Sequence, residues 1–190
     1  MTTADEKDML RNVKLVVSDM DGTLLGSGSI LSKVTSDAII HFRKSTSIPF
    51  LLATGRCRAS ALARLVECEH DFSTDPGIFL NGAVVYGHNG VLVHECKFDP
   101  SVLTLIVSLF EKDLHQVVVM PCSGDEIFAP VKSEISMYLH VKYSDPLPTI
   151  FSDYRAMLHA METKSIHMIT LLTAPGEESR IVAALTELFG

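Results

Sequence analysis

The chain contains 190 residues, of which 47% are hydrophobic, and it carries a formal net charge of −7. This length suits one domain or a domain with an inserted second unit. The acidic balance, with no run rich in Lys or Arg, argues against nucleic acid as a partner. No apolar run is long enough to span a membrane, and the polar first residues carry no secretory signal. We therefore expect a soluble, cytoplasmic protein with neither a nucleic-acid nor a membrane partner.

The first predicted element is a strand over residues 13–18, because an apolar, β-branched run of this length is typical of a strand buried on both faces. Asp19 and Asp21 follow it, and two carboxylates this close require a cation or strong hydrogen bonds. Phosphoryl transfer is a reaction that can use two carboxylates at this spacing, because it needs a nucleophile in line with the leaving oxygen. The Asp19 carboxylate can attack phosphorus, and Asp21 can act as general acid and then as base. Gly22 allows the tight turn that brings main-chain N–H groups close to a ligand.

The rest of the first half alternates between helical and strand periodicity. This order predicts a βαβαβ unit with a parallel sheet and right-handed crossovers, followed by a hairpin with turn residues at its tip. In the first helix, Val34 and Ile39 belong to the apolar stripe. The predicted strands are 48–53, 78–80, 84–86 and 91–94, and the predicted helices are 32–44 and 58–67.

Three polar signatures stand immediately after the first three predicted strands. They are Asp19, Thr54 and Asn81. Ligands of parallel α/β sheets gather outside the carboxyl ends of the strands. We therefore expect these residues to converge on one edge of the sheet although they are far apart in sequence.

The second half predicts another α/β unit. Asp99 and Pro100 open a helix with a stripe at the spacing of a one-sided amphipathic helix, formed by Val102, Leu105, Ile106, Leu109 and Phe110. The four cysteines have neither zinc-type nor C-x-x-C spacing, which favours buried free thiols. The predicted strands are 117–120, 126–129 and 166–172; turns are expected at 121–124 and 124–126; helices are expected at 133–141, 153–162 and from 177 onward; and the cysteines are Cys57, Cys68, Cys96 and Cys122.

Three motifs resemble those of the haloacid dehalogenase superfamily of phosphotransferases. The run from Asp19 to Leu25 resembles its first motif, and Thr54-Gly55 resembles its second, which places a Ser or Thr at the end of the second strand. Residues 51–56 and Asn81-Gly82-Ala83 are similar to the Cof-type branch. The resemblance implies a Rossmann-like α/β core with a parallel sheet at residues 11–97, and an α/β cap domain at 98–190.

The resemblance also implies roles for individual residues. Asp19 would be the nucleophile that forms an aspartyl-phosphate, and Asp21 the acid and base. Mg²⁺ would be held by the same two residues, with the main-chain carbonyl of Asp21 as a ligand. Arg56 would orient the loop or meet the substrate, or else lie on the surface. The amide of Asn81 would bind a substrate oxygen or another loop, or simply tighten a turn. The phosphate-binding residues would be Met20, Gly22, Thr54 and Gly55.

Two later motifs of the family, one with a Lys and one of the form Gly-Asp-x-x-x-Asp, are not recognisable. The chain alone is therefore expected to be an incomplete Mg²⁺-dependent phosphatase of a small phosphorylated metabolite, either a fragment or a chain that another polypeptide completes. The alternatives are a non-catalytic module that binds phosphate or metal, and a phosphomutase, although Thr54-Gly55-Arg56 favours the hydrolase branch. Without the family's further strands, the first strand would be an exposed apolar edge, through which self-association is expected.

Overall fold

The computed structural model describes residues 12–113 and 116–190. These residues form two compact units. One contains the described residues up to Arg56 together with Ala61–His94, and the other contains Cys57–Ser60 together with Glu95–Gly190. The predicted domain limits, 11–97 and 98–190, stay a prediction.

The first sheet confirms the predicted α/β fold. Its strand order is β1-β2-β3-β4-β5, and β1 and β3 both run parallel to β2, while β4 pairs antiparallel with β3. Ser18 lies opposite Leu52, and Ala53 lies opposite Ile78. The strands are β1 (Val16–Ser18), β2 (Phe50–Ala53), β3 (Gly77–Phe79), β4 (Val84–Tyr86) and β5 (Leu92–Glu95), and the helices among them are α1 (Lys33–Ser45) and α2 (Arg58–Ala63), with 3₁₀ turns at Phe72–Thr74, Leu80–Gly82 and His88–Gly90.

Strand β1 is shorter and more exposed than predicted. It covers Val16–Ser18 and lies at the edge of the sheet within the described part of the chain. Leu15 and Val17 are 46% and 48% exposed, so the prediction of a strand buried on both faces was wrong. The expectation of an exposed apolar edge is confirmed. A sequence pattern records which residues are apolar, whereas burial requires a neighbouring strand or helix to cover them.

Helix α1 packs on the core of the first unit through fewer residues than its sequence stripe suggested. Ser32 caps its N-terminus by accepting a hydrogen bond from the Thr35 N–H. Ile39 is buried, but Val34, in the first turn, is 80% exposed, which corrects its assignment to the buried face. The buried core of this unit comprises Met20, Leu24, Leu25, Leu31, Ile39, Phe50, Leu52, Ala61, Leu65, Cys68, Phe72 and Phe79.

The second unit contains a four-stranded sheet in the order β8-β7-β6-β9. Its β6 extends to Ser123, so Pro121 lies inside a strand opposite Ile169 rather than in the predicted turn, whereas a turn at Gly124 is confirmed. The strands are β6 (Val117–Ser123), β7 (Glu126–Ala129), β8 (Thr149–Ile150) and β9 (Met168–Thr173), and the helices are α3 (Pro100–Leu109), α4 (Glu134–Tyr143), α5 (Tyr154–Met161) and α6 (Glu178–Phe189), with a 3₁₀ turn at Glu111–Asp113.

Helix α3 has the predicted start, and its buried face matches the predicted stripe only in part: Ile106 and Phe110 are buried as predicted. Asp99 accepts a hydrogen bond from the Ser101 N–H and caps the helix. Leu105 and Leu109 are 48% and 38% exposed, and the buried residues include Leu103 and Val107. The helix is apolar on most sides, so periodicity alone could not select the face that packs. The buried core of this unit comprises Leu103, Ile106, Val107, Phe110, Val117, Val119, Phe128, Met157, Met161, Ile166 and Ile181.

All four cysteines are free thiols, as predicted, but one of them is not buried. Cys57, Cys68 and Cys122 are buried, and Cys96 is exposed. Burial raises the pKa of Cys57 and of Cys122 to about 12. Among residues 12–113 and 116–190, no helix combines the length and the apolar character needed to cross a membrane.

Candidate functional site

The loop after β1 turns back on itself around a buried methionine. The Met20 carbonyl accepts hydrogen bonds from the N–H groups of Thr23 (3.3 Å) and Leu25 (2.7 Å), and Met20 is fully buried. Gly22 has a φ of +79°, a conformation that costs glycine little. Because the loop buries its apolar residues, the side chains of Asp19 and Asp21 remain at the exposed end of the strand.

Two loops that follow β2 and β3 are joined by main-chain hydrogen bonds. The Asn81 N–H donates to the Thr54 carbonyl (3.2 Å), and the Leu80 N–H donates to the Arg56 carbonyl (3.0 Å). The Thr54 hydroxyl accepts from the Arg56 N–H (3.2 Å), and Thr54 is 6% exposed. The predicted convergence of the second and third signatures is therefore present in the structure.

The third loop holds a strained backbone at this junction. Leu80, Asn81 and Gly82 have φ values of +51°, +56° and +92°. A left-handed conformation costs an ordinary residue about 1 to 2 kcal/mol, so the hydrogen bonds to the neighbouring loop must hold Leu80 there. Strain of this kind is concentrated at functional sites, where the surrounding structure over-determines the backbone.

Gly55 allows the second loop to approach the Asn81 side chain. A Cβ atom at position 55 would lie 2.9 Å from Asn81 Oδ1, closer than real Cβ atoms come to other heavy atoms. A side chain at position 55 would push Asn81 away. No local pattern predicts this contact, because it joins residues 26 positions apart.

Arg56 forms the main electrostatic contact of the site. Its Nε donates to Asp21 Oδ2 (2.6 Å) and its Nη2 donates to Asp21 Oδ1 (2.8 Å). The Arg56 side chain is 6% exposed and that of Asp21 is 45% exposed. The Ser29 hydroxyl also donates to Asp21 Oδ1 (2.8 Å). The alternative of a surface Arg was therefore wrong, and neither the Arg56 pair nor the Ser29 contact was predicted.

The ion pair sets the charge state of Asp21. The Arg56 guanidinium holds the pKa of the Asp21 carboxyl below its usual value, the Ser29 hydroxyl acts in the same direction, and partial burial opposes them. Asp21 is therefore ionised at neutral pH in this arrangement.

Asp19 reaches the same sheet edge through the strand register. Ser18 pairs with Leu52, so Asp19 and Thr54 both leave the carboxyl ends of adjacent parallel strands. The Thr23 hydroxyl donates to Asp19 Oδ2 at 3.4 Å. The structure thus joins Asp21, Thr54, Arg56 and Asn81 by direct or single-step contacts, and places Asp19 beside them by register.

The site offers oxygen ligands of the kind Mg²⁺ prefers. Among residues 12–113 and 116–190, no group of three or more His, Cys, Asp or Glu side chains is placed to hold a metal ion. The Asp21 carboxylate is engaged with Arg56, which is compatible with the predicted use of its main-chain carbonyl as a ligand. Asp19 and Asp21 therefore fit a hard cation in donor type and supply only part of its coordination shell.

A family model described as haloacid dehalogenase-like hydrolase matches residues 16–190. The chain is 26% identical over 183 residues to the Arabidopsis thaliana protein named endoribonuclease YBEY, chloroplastic; the match covers 92% of this chain and 30% of that protein. It also resembles the solved structure of a haloacid dehalogenase-like hydrolase from B. subtilis, with a TM-score of 0.72 and 20% identity over 93% of this chain and 67% of that one.

A further solved structure is described as the HAD subclass IIB sugar phosphatase BT4131. It has a TM-score of 0.68 and 16% identity, over 91% of this chain and 64% of that one. Likeness at this level of identity shows a shared fold. The chain spans less than a third of the Arabidopsis protein and about two thirds of each of the two solved structures.

Proposed function

Because the chain belongs to the haloacid dehalogenase-like hydrolases, we propose that it is a Mg²⁺-dependent phosphatase of small phosphorylated metabolites, incomplete as this chain alone. The observation that carries the proposal is the meeting of Asp21, Thr54 and Arg56 beside Asp19 at the carboxyl ends of adjacent strands. Parallel α/β sheets bind ligands at this edge. The free thiols fit a reducing compartment, and we place the protein in the cytoplasm.

The reaction has two displacements at phosphorus. An Asp19 carboxylate oxygen attacks phosphorus, the bond to the leaving oxygen breaks, and Asp21 gives that oxygen a proton, which Asp21 must first take up from water because Arg56 keeps its carboxyl ionised in this arrangement. Water then attacks the aspartyl-phosphate, Asp21 accepts the proton of the water, and inorganic phosphate leaves while the Asp19 carboxylate is regenerated. The lowered pKa of Asp21 suits its second task, in which it must enter as a carboxylate.

The phosphate oxygens would be held by the hydroxyl of Thr54 and by the main-chain N–H groups of Met20, Gly22 and Gly55. The Thr54 oxygen accepts from the Arg56 N–H, so its own O–H can donate to a phosphate oxygen. Donors aimed at developing charge are typically worth about 3 to 4 kcal/mol each. Gly55 keeps this loop close to Asn81, whose amide would orient the substrate.

Mg²⁺ would be held by the Asp19 carboxylate and the Asp21 main-chain carbonyl. When bound, it neutralises negative charge on the phosphoryl oxygens. The remaining ligands would come from outside the described residues, either from a longer form of the chain or from another polypeptide. The second unit would select the substrate, as α/β caps do in the resembled branch.

The test is hydrolysis of p-nitrophenyl phosphate with Mg²⁺ by the parent chain, by any longer gene product and by Asp19→Asn. We expect Asp19→Asn to lower turnover at least about 100-fold, because the nucleophile is lost. Asp37→Asn is the matched control, since Asp37 is an exposed acid on α1 paired with Lys33. Equal rates for the parent and Asp19→Asn would remove the nucleophile assignment.

The second candidate function is a non-catalytic module that binds phosphate or metal. The observation in its favour is the incomplete set of metal ligands among the described residues. Titration calorimetry with Mg²⁺ and with inorganic phosphate distinguishes it from the enzyme. Binding without turnover in the full gene product would establish the module, whereas turnover that depends on Asp19 would exclude it.

A further inference from the structure

Arg56 fixes the direction of the Asp21 carboxylate by binding both of its oxygens, although Asp21 is partly exposed. Two guanidinium nitrogens contact the two carboxylate oxygens separately, at 2.6 and 2.8 Å. A bidentate contact of this kind sets the plane and the distance of the carboxylate, which a single hydrogen bond does not. The Asp21 side chain is 45% exposed, whereas the Arg56 side chain is 6% exposed. The surrounding residues therefore hold Arg56 in place, and Arg56 in turn holds Asp21.

The main chain of Arg56 is in turn fixed by its own loop and by the third loop of the site. Its N–H donates to the Thr54 hydroxyl (3.2 Å), and its carbonyl accepts from the Leu80 N–H (3.0 Å), at the strained third loop. Arg56 therefore connects all three strand-end loops. The first loop carries Asp21, the second carries the predicted phosphate cradle, and the third carries Asn81.

We infer that Arg56 is a positioning residue, which holds Asp21 in place relative to the phosphate cradle, and that it does not bind substrate. The inference rests on the proposed function. Arg56 is buried and turns two of its nitrogens to Asp21, whereas a substrate-binding arginine must present its donors to solvent before the substrate arrives. Replacing Arg56 should therefore slow the displacement that depends on the placement of Asp21 and leave substrate binding and the other displacement unchanged.

The two displacements separate these effects when p-nitrophenyl phosphate is the substrate. p-Nitrophenolate is a good leaving group that departs without a proton, so the first displacement is insensitive to Asp21. The second displacement needs Asp21 to accept a proton from water. Without Arg56 we expect an unchanged initial burst of p-nitrophenolate, an unchanged kcat/KM within about threefold, and a steady rate at least about tenfold lower.

The experiment compares rapid-mixing traces of the parent with Arg56→Gln, Arg56→Lys, Asp21→Asn and the double variant Asp21→Asn/Arg56→Gln, in the most active form of the protein. Arg56→Lys keeps the positive charge but cannot contact both carboxylate oxygens through two fixed nitrogens, so its steady rate should lie between those of Arg56→Gln and the parent. The double variant should be no slower than Asp21→Asn, because Arg56 acts through Asp21.

Arg43→Gln is the matched control. Arg43 forms a comparable two-oxygen pair with Asp75 in the same unit, with contacts of 2.9 and 2.8 Å, away from the site. Its loss should lower thermal stability and leave both kinetic phases as they are. A loss of the slow phase in Arg43→Gln would mean that Arg56 acts only through general stability, and would overturn the inference.

The outcomes separate this inference from the proposed function. If Asp19→Asn keeps the burst, the proposed function fails. If Asp19→Asn removes it while Arg56→Gln lowers kcat/KM, or slows the Asp21→Asn variant further, Arg56 binds substrate and the inference fails. If no form of the protein shows turnover, the Arg56 Nε–H resonance decides: we expect slow exchange with water that is lost in Asp21→Asn and kept in Asp37→Asn. An unaltered resonance in Asp21→Asn would overturn the inference.

Discussion

The two sheets of this protein differ in how far they bury the apolar residues of β1 and β6. In the second unit, β6 is paired on both sides and buried from Val117 to Cys122. In the first unit, β1 is an edge strand, and its residue Val17 and the preceding Leu15 are about half exposed. Helices pack against the second sheet, whereas β1 leaves one lateral edge of the first sheet unpaired within the described residues.

The first unit also has polar residues buried at the ends of its strands. The buried polar residues of the first unit include Thr54 and Arg56, which stand just beyond β2 and hold the site together. Buried polar groups need partners, and here those partners are Asp21 and the neighbouring loops. The first unit therefore combines apolar packing with this polar cluster and with an edge strand that is unpaired on one side within the described residues.

The largest expected difference is between two equivalent leucine truncations. Leu103→Ala removes a side chain that is 1% exposed in the second unit, and Leu15→Ala removes one that is 46% exposed in the first. We expect the first to lower the free energy of unfolding by about 2 to 5 kcal/mol and the second by about 1 kcal/mol or less. Urea denaturation followed by circular dichroism measures both. Similar losses would contradict the contrast between the sheets.

The next effect is a loss of stability at high pH that is caused by the two buried thiols, Cys57 and Cys122. Burial raises the pKa of each thiol from 9.0 to about 12, so the unfolded chain loses thiol protons first as the pH rises. Their stabilising contribution is complete below about pH 9 and is lost as the pH approaches 12. At pH 10 the loss should be about 1.4 kcal/mol per thiol.

The matched comparison is Cys57→Ala/Cys122→Ala against Cys96→Ala, since Cys96 is exposed. The double variant should show a flatter decline of stability between pH 8 and 10.5 than the parent, and Cys96→Ala should follow the parent. Identical slopes in the parent and the double variant would contradict the assigned burial.

A smaller effect is expected from the helix caps of the two units. Ser133 and Ser136 form a reciprocal capping box at the start of α4, whereas at α1 no described side chain bonds back to the main chain of Ser32, whose Oγ contacts the N–H and the hydroxyl of Thr35. Ser133→Ala should cost about 1 to 2 kcal/mol and Ser32→Ala about 0.5 to 1 kcal/mol. Thermal denaturation of both variants measures the difference. A larger loss in Ser32→Ala would reverse the proposed order.

The smallest change in stability is expected from Val17→Lys on the open edge. Val17 is 48% exposed, so the free energy of unfolding should change by less than about 0.5 kcal/mol. Charged edge residues block strand pairing between chains, so we expect self-association of the parent, measured by sedimentation velocity, to disappear in this variant. Val34→Lys, on an exposed turn of α1, should associate like the parent. A parent that stays monomeric at all concentrations would contradict self-association through β1.

Local chemistry determined much of the site in advance. Asp19, Thr54 and Asn81 follow strands in the sequence, and parallel strands placed in chain order bring such residues to one edge. The pair Asp99-Pro100 likewise predicted the start of α3, because a cap and a proline at the first helical position act within a few residues. These predictions depended on neighbours in sequence, and they hold in the structure.

Other features depended on contacts between distant residues. The bond from Arg56 to Asp21 joins positions 35 apart, and the fit of Gly55 against Asn81 joins positions 26 apart. The buried face of α3 was set by what packs on it, since its sequence is apolar on most sides. Pro121 lies within β6, opposite Ile169, although its residue type had predicted a turn.

The sequence by itself determined the order of helices and strands, their α/β class and the edge at which the acidic and hydroxyl residues meet, because hydrophobic period and chain order are local properties. Only the tertiary structure decided that β1 is an edge, which helix faces are buried, and that a buried arginine fixes Asp21. Each of these depends on which surfaces come together, and no pattern along the chain records that.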